Sequence, residues 1–369
     1  MTSSLLVVMG GRVIGDIIEQ GRGGRLLYAD DIDQPLSLSM PLDRQRHRGH
    51  VVLPWLRNLL PDREDMLMQW RRAFGLHSNN PIDLLRHVGE EVAGATQFVR
   101  PDRLSEAQEW RPARPLDEHQ VGDMLRRAVE WIPEVDPAAS VGRFSLAGVQ
   151  PKIALQRLDP KNWAMPQGIN STTHIIKPAI PHLQDQALNE HLTSVAARAA
   201  GLATVATEFQ VVDGRPVVVV ERYDRFFADG RWHRAHQEDL LQALGLPPEL
   251  KYESQGGPGL RTVADLIRSA TGKDYDVREY MRSNIFHWLT MSTDGHAKNY
   301  SFLLSGSQVQ LAPVYDLNSF LFYGAGSARS LSMKIGAEYR TDRICNHSVS
   351  RVGVSHRWMK CVLRQCICG

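Results

Sequence analysis

Ser292-Thr-Asp-Gly-His-Ala-Lys-Asn299 is the stretch on which the fold reading turns. It is polar and short. An apolar, helix-patterned segment (277–291) precedes it. Two strand-patterned segments, 300–304 and 309–313, follow it and pair across Ser305-Gly-Ser307. Asp316 ends the next segment, in Val-Tyr-Asp-Leu. Phosphoryl transfer to a hydroxyl needs a carboxylate to orient or deprotonate the nucleophile. It also needs oxygen ligands for magnesium and cations to spread the transition-state charge. Asp294 fits the first role. Asn299, five residues later, has the spacing of a metal-binding asparagine in a kinase catalytic loop. Asp316 is a hard carboxylate suited to magnesium. The same residues also suit an ordinary Asp-Gly turn and a capped strand end, and the spacing alone leaves both readings open.

Upstream, Lys177 ends the apolar strand 172–177, and Glu190 lies thirteen residues on in a helix read over 185–200 and closed by Gly201. A strand lysine paired with a helix glutamate is how kinases hold α- and β-phosphates. A solvated lysine before Pro178 is the plainer alternative. Residues 145–152 form a small-residue loop before the strand 153–156. Its N–H groups and Lys152 suit phosphate oxygens, but the glycine spacing is not that of a Walker A loop. Glu221-Arg-Tyr-Asp224 leaves a strand, as a hinge touching adenine or as a salt-bridge cluster.

Around these segments the chain reads as three parts. Strands at 5–9, 12–18 and 25–28, a helical stretch over 54–75, a short helix from Pro81 and a strand at 97–99 make a small α+β unit to residue 103. A charged stretch with Pro101, Pro112 and Pro115 reads as a linker, followed by a helix over 117–131 with an Asp117/Gln120 capping box. Residues 104–235 read as a strand-rich nucleotide-binding region. It includes a hairpin of 210–212 with 216–221 across Asp213-Gly214, and an apolar run (217–220) read as a buried strand. Residues 236–369 read as a helix-rich lobe, with further capping boxes expected at Thr262/Asp265 and Asp276/Glu279.

The 369 residues are 43% hydrophobic and 23% charged, with a net charge of +2. These values fit a globular chain with a sizeable core and are too mild to argue nucleic-acid binding. No signal-like leader and no run of about 18 apolar residues is read in the chain. All four cysteines lie at 345–368, without a zinc spacing, and read as reduced thiols in a cytoplasmic protein.

Together, Ser-Leu-Ala-Gly-Val-Gln-Pro-Lys (145–152), His-Ile-Ile-Lys (174–177), Val-Glu-Arg-Tyr-Asp-Arg (220–225), Gln-Glu-Asp (237–239), Lys-Tyr-Glu-Ser-Gln-Gly-Gly-Pro-Gly (251–259), Thr-Asp-Gly-His-Ala-Lys-Asn (293–299) and Tyr-Asp-Leu (315–317) resemble, in this order, the HipA family. Pro-Leu-Ser-Leu-Ser-Met-Pro-Leu (35–42) and Asn-Leu-Leu-Pro-Asp (58–62) resemble that family's first domain. The resemblance implies an α+β, two-lobed fold like protein kinases and phosphatidylinositol kinases. It implies a Ser/Thr protein kinase toxin using ATP and Mg2+. Asp294 is then the catalytic base with Lys298 beside it, and Asn299 and Asp316 hold the metal. Leu146, Ala147, Gly148, Val149, Gln150, Lys152, Lys177, Glu221, Arg222, Tyr223, His296 and Tyr315 meet the nucleotide, and Glu190 supports Lys177.

The resemblance further implies autophosphorylation at Ser145. A phosphate there adds about −1.5 to −2 charges and opposes inward packing of the loop. It implies an aminoacyl-tRNA synthetase target, notably the glutamyl enzyme, a HipB-like helix-turn-helix antitoxin, and operator DNA reached through that complex. The likeness is traced to about residue 340. Beyond it the family carries more helix, and 344–369 reads as a truncated or aberrant tail. A catalytically silent antitoxin-binding co-repressor, and a small-molecule or lipid kinase, are the alternative readings.

Overall fold

The computed structural model describes residues 4–20, 23–130, 145, 147–180, 182–323 and 329–344. The four cysteines and Leu146 lie outside these residues. Strands β1 (Ser4–Met9), β2 (Arg12–Gln20), β3 (Gly23–Tyr28), β4 (Arg46–His47) and β5 (Thr96–Val99) form an antiparallel sheet in the order β4-β3-β2-β1-β5. Alternation along β1 sends Leu5 and Val7 to one face and Val8 to the other. The first face packs on α1 (Gly49–Arg57), α2 (Glu64–Ala73) and α3 (Pro81–Val88) through Trp55, Leu56 and Leu85. The helical stretch expected over 54–75 is thus two helices. The break is at 58–62, where Pro61 disfavours helical backbone at Leu60.

The stretch expected to be a linker is structured. It holds α4 (Leu104–Gln108) and β6 (Trp110–Leu116). A proline cannot donate to a strand ladder, so Pro112 and Pro115 argue against a central strand. An edge position removes the objection, and β6 is the edge of its sheet, with a register shift between Arg111 and Arg114.

That second, antiparallel sheet has the order β10-β11-β9-β7-β8-β6, with β7 (Ile153–Arg157), β8 (Trp163–Gly168), β9 (His174–Pro178), β10 (Thr207–Val212) and β11 (Arg215–Glu221). The Asp117/Gln120 capping box opens α5 (Glu118–Val129) as expected. The Asp213-Gly214 turn joins β10 to β11, both residues at positive φ. The buried run 217–220 serves two cores. Val217 and Val219 join Leu125 of α5, while Val218 and Val220 join Ala187 of α6 (Gln186–Ala199). Lys177 pairs directly with Val218, so the two side chains share the α6 face of the sheet. This two-residue period is what turns Lys177 toward Glu190.

A ribbon, β12 (Arg225–Ala228) with β13 (Arg231–Arg234), leads to the third part. It opens with a strand rather than a helix: β14 (His236–Asp239) pairs with β15 (Ser301–Ser305), which pairs with β16 (Gln308–Leu311). Helices α7 (Leu240–Leu244), α8 (Leu260–Thr271) and α9 (Asp274–Leu289) pack there with β17 (Ser330–Ile335) and β18 (Glu338–Arg340). The two capping boxes expected in this part do not form. Helix α8 starts after Gly259 and α9 after Lys273, so Thr262 and Asp276 already lie within first turns. There Asp274 and Asp276 face the positive end of the α9 dipole.

A closed ion cluster ties the first unit to the ribbon. Glu91 accepts from Arg222 (3.1 Å), Arg225 (2.7 Å) and Arg234. Asp224 accepts from Arg222 (2.7 Å) and from the Gly94 N–H (2.7 Å). Burial pushes the Glu91 carboxyl up, but the guanidinium groups of Arg234, Arg225 and Arg222 outweigh it and hold it at about 2. A depressed carboxyl contributes stability above its unfolded value that is lost as pH falls through the folded one. Glu91→Ala should therefore cost about 3–5 kcal/mol near neutral pH and flatten the loss of stability between pH 4.5 and 2. Urea unfolding at several pH values checks both; a cost near zero would sink this account of the cluster.

Candidate active site

A cleft of about 740 Å³ lies between the second sheet and the helical part, within the usual size of small-molecule sites. Lys177 sits at its floor. Its Nζ donates to Glu190 Oε1 at 2.7 Å and to Asp316 Oδ1 at 2.6 Å. Burial alone would strip the lysine of its proton. The Asp316 and Glu190 carboxylates outweigh it and hold the ammonium charged. Burial likewise pushes the Asp316 carboxyl up, yet Lys177 and then Lys152 hold it well below the ordinary range. Burial dominates at Glu190, which is raised. Asp316 adopts φ 61°, a conformation costly for most side chains that aspartate tolerates better. One oxygen is spent on Lys177, and the side chain is still 27% exposed.

Asp294 stands at the mouth, its side chain 48% exposed. Its Oδ1 accepts from the Tyr252 hydroxyl at 3.0 Å and lies 3.5 Å from His296 Nε2. The Asn299 amide donates to the Asp294 carbonyl and so closes the loop on itself. Gly295 is not at positive φ. It is required by contact, since a Cβ there would stand 2.7 Å from the His287 ring on α9. The loop is thus pressed against its preceding helix, and His287 is the partner that sequence spacing did not reveal. His296 is buried, and burial pushes its imidazole below the usual value.

The phosphate-loop candidates converge on the same cleft. Gly148 has φ +112°, a backbone conformation strained for any residue with a Cβ, and it faces the movable Lys152 Nζ. Lys152 curls over its own loop and donates to the Ala147 carbonyl at 2.6 Å. Burial, then the nearby Lys177, lowers its pKa to about 8. Gln150 donates to Pro178 O and Gln186 Oε1, and Val149 is half exposed. Ser145 is buried, its Oγ donating to Leu59 O at 2.8 Å and its N–H to Glu91 O at 2.9 Å. The Gly148 carbonyl accepts from the Asp62 N–H.

At the other end, Tyr223 and Tyr315 stack 5.7 Å apart. Tyr223 donates to Gln237 Oε1 (2.6 Å), and Tyr315 to the Lys298 carbonyl (3.0 Å). Two expected contacts change character. The Arg222 side chain belongs to the Glu91 cluster, and the exposed Glu221 gives its N–H to Ala206. Glu221, Arg222 and Tyr223 all line the cleft. Lys298 is buried, with Nζ donating to Asn58 O (2.7 Å), Asn58 Oδ1 (2.9 Å) and Asp239 Oδ2 (3.1 Å). Its contacts make it an anchor of the loop. The first unit also sends Asp62 into the cleft, paired with Lys251 at 2.8 Å. Asp62, Asp239, Lys251 and Tyr252 stood within motifs noted in the sequence, but no spacing rule assigned them to the site.

Residues 5–99 match the family model of the HipA N-terminal domain, and residues 144–368 that of the HipA-like C-terminal domain. The chain belongs to the HipA family, and its α+β fold is kinase-like. The second match runs past residue 340, where the motif likeness had stopped. The chain is 32% identical over 219 residues to the Shewanella oneidensis serine/threonine-protein kinase toxin HipA, covering 55% of this chain and 49% of that protein. It is 41% identical over 196 residues to the Sinorhizobium fredii protein Y4mE, named as a candidate kinase, covering 53% and 46%. The chain thus spans about half the length of the curated relatives it matches. The solved structure of Shewanella oneidensis HipA with HipB and operator DNA superposes with a TM-score of 0.83 at 25% identity, covering 98% of this chain and 88% of that one.

If Lys298 is an anchor, Lys298→Ala strands Asp239 and the Asn58 carbonyl in a buried setting. The expected cost is about 3–5 kcal/mol in a denaturant titration. A change within about 0.5 kcal/mol would be that of a free side chain.

Proposed function

We propose that this chain is an ATP- and Mg2+-dependent protein serine/threonine kinase of the HipA toxin kind. The observation that carries the reading is Lys177, held between Glu190 and Asp316 on the floor of a cleft with Asp294 at its mouth. A lysine fixed by a helix glutamate suits α- and β-phosphates. ATP with magnesium would supply the transferable phosphoryl group. Asp316 and Asn299 offer the hard oxygen donors that magnesium takes, usually one or two from protein beside those of phosphates and water. Among the described residues no three His, Cys, Asp or Glu side chains gather as a protein-built metal site. Gly148, Gln150 and Lys152 cover the phosphate end, His296 lies between it and Asp294, and Tyr223 and Tyr315 offer aromatic surface to the base. Asp294 takes the proton of the acceptor hydroxyl.

Ser145 is the self-modification site in this reading. Its hydroxyl is buried against Leu59, so a phosphate there has no room while the loop is packed. Modification would release the loop and switch the kinase off. The partners proposed are a helix-turn-helix antitoxin and, through it, operator DNA. The Shewanella oneidensis complex, which contains HipB and operator DNA, supports them. The protein substrate proposed is an aminoacyl-tRNA synthetase, on the family resemblance. A cytoplasmic location goes with that substrate, and no described helix is long and apolar enough to cross a membrane.

Intact-mass analysis before and after Mg·ATP, with phosphopeptide mapping, tests the reading. Phosphate gained at Ser145 is expected in the wild type and absent in Asp294→Asn, with ATP affinity of the variant within about threefold of wild type. A folded, unmodified protein that gains no phosphate would move the reading to a silent antitoxin-binding co-repressor. A second expectation concerns pH. A phosphate beside Lys152 raises the pKa of its ammonium, so ATP affinity should be highest below about pH 8 and fall as pH rises through it. Lys152→Met should weaken ATP binding and flatten that fall, read by calorimetry from pH 6.5 to 9.

A further inference from the structure

Among the described residues, Asp294 forms no ion pair with a lysine or arginine; its carboxylate meets the Tyr252 hydroxyl and the His296 ring. The 251–257 segment supplies the first of these. Tyr252 donates its hydroxyl to Asp294 Oδ1 at 3.0 Å, and its ring is pinned on two sides. The Lys251 ammonium lies 5.3 Å from the ring centroid, and the His296 ring meets it edge-on at 5.1 Å. Lys251 is itself fixed by Asp62 of the first unit at 2.8 Å. A tyrosine clamped in this way can hold a carboxylate with little loss of freedom, because its own rotamer is already set. Burial, then the Asp294 charge, raises the phenol's pKa, so it stays a donor throughout the physiological range.

We infer that Tyr252 is the positioning residue of the base: its hydroxyl holds Oδ1 of Asp294 and so leaves Oδ2 to receive the acceptor's proton. This rests on the kinase reading above. Tyr252 does not itself line the cleft, although its neighbour Lys251 does. Its effect runs through Asp294, and the expected signature is a fall in kcat without a matching rise in KM for ATP. A base turned away from its working geometry forfeits part of the roughly 10²–10⁴-fold that general base catalysis supplies.

Tyr252→Phe keeps the ring and its contacts with Lys251 and His296 and removes only the hydroxyl. The test compares wild type, Tyr252→Phe and Asp294→Asn in self-labelling and in transfer to a protein acceptor. The expected result for Tyr252→Phe is a kcat lowered at least tenfold, with ATP KM and melting temperature close to wild type. Unchanged kcat would overturn this inference alone. An equal loss through KM or stability would make Tyr252 merely structural and overturn it as well. No transfer by wild type overturns the kinase reading and the inference with it. The contact is also read without activity, in protein labelled with carbon-13 at the tyrosine ζ position. The Tyr252 resonance, identified by its loss in Tyr252→Phe, should shift in Asp294→Asn. A resonance that does not move denies the hydrogen bond whatever the kinetics show.

Discussion

The structure depends on where one ammonium group goes. Lys298 lies in the 293–299 loop, where a lysine would be expected to reach into solvent or toward phosphate. Instead its Nζ is buried among Asn58 O, Asn58 Oδ1 and Asp239 Oδ2, with Asp62 Oδ1 at 3.9 Å. A buried cation is tolerated only when acceptors surround it, and these come from two places far apart in the chain. Asp239 also caps α7 through its box with Gln242, so its carboxylate has a second anchor besides the lysine. Asn58 ends α1, where the helix must break before Pro61. The loop bearing Asp294 is therefore located by the first unit as much as by its own hairpin. The same break, 58–62, accepts the Ser145 hydroxyl at Leu59 and donates the Asp62 N–H to Gly148. One short segment thus touches the catalytic-loop candidate and the phosphate-loop candidate together. This makes the first unit part of the site.

Sequence period and motif spacing read much of this, for identifiable reasons. The continuous apolar run 217–220 reads as a buried strand because a strand covered on both faces must be apolar on both. The interval from Lys177 to Glu190 brought two charges onto facing surfaces because strand and helix follow each other directly. The segment 110–116 was missed because prolines signal a loop, and only the finished sheet shows that it is an edge. The two capping boxes failed because a Thr or Asp three residues before an acid is common inside a first turn as well. Asp62 and Tyr252 were not assigned because their partners lie far off in sequence: Tyr252 is 42 residues from Asp294, and Asp62 is 189 from Lys251. No local period encodes such pairings.

Two buried ion clusters divide the labour. The Glu91 cluster is closed: its carboxylates are matched by three arginines and a backbone N–H, and its members are almost wholly buried. Such a cluster holds elements in register and leaves nothing to react. The Lys177 cluster is open. It sets two carboxylates against one lysine at the floor of a large cleft, with a second ammonium, Lys152, close enough to depress Asp316 and to be depressed by Lys177 in turn. Two like-charged ammonium groups and two carboxylates at one wall repel within each pair as well as attract across them. That frustration is relieved by a ligand carrying negative charge toward the lysines and positive charge toward the carboxylates.

A polyphosphate with a divalent cation has that pattern of charge. The same reasoning separates catalysis from mere binding. A protein retained only to hold a partner gains nothing from a half-exposed Asp294 carried on a glycine that His287 forces, or from a left-handed Asp316 opposite a buried lysine. The left-handed Asp316 is the costly one of the two, and backbone strain of that kind gathers at functional sites. Strain and electrostatics at this wall thus accord with the phosphotransferase proposed above, on grounds separate from the family likeness.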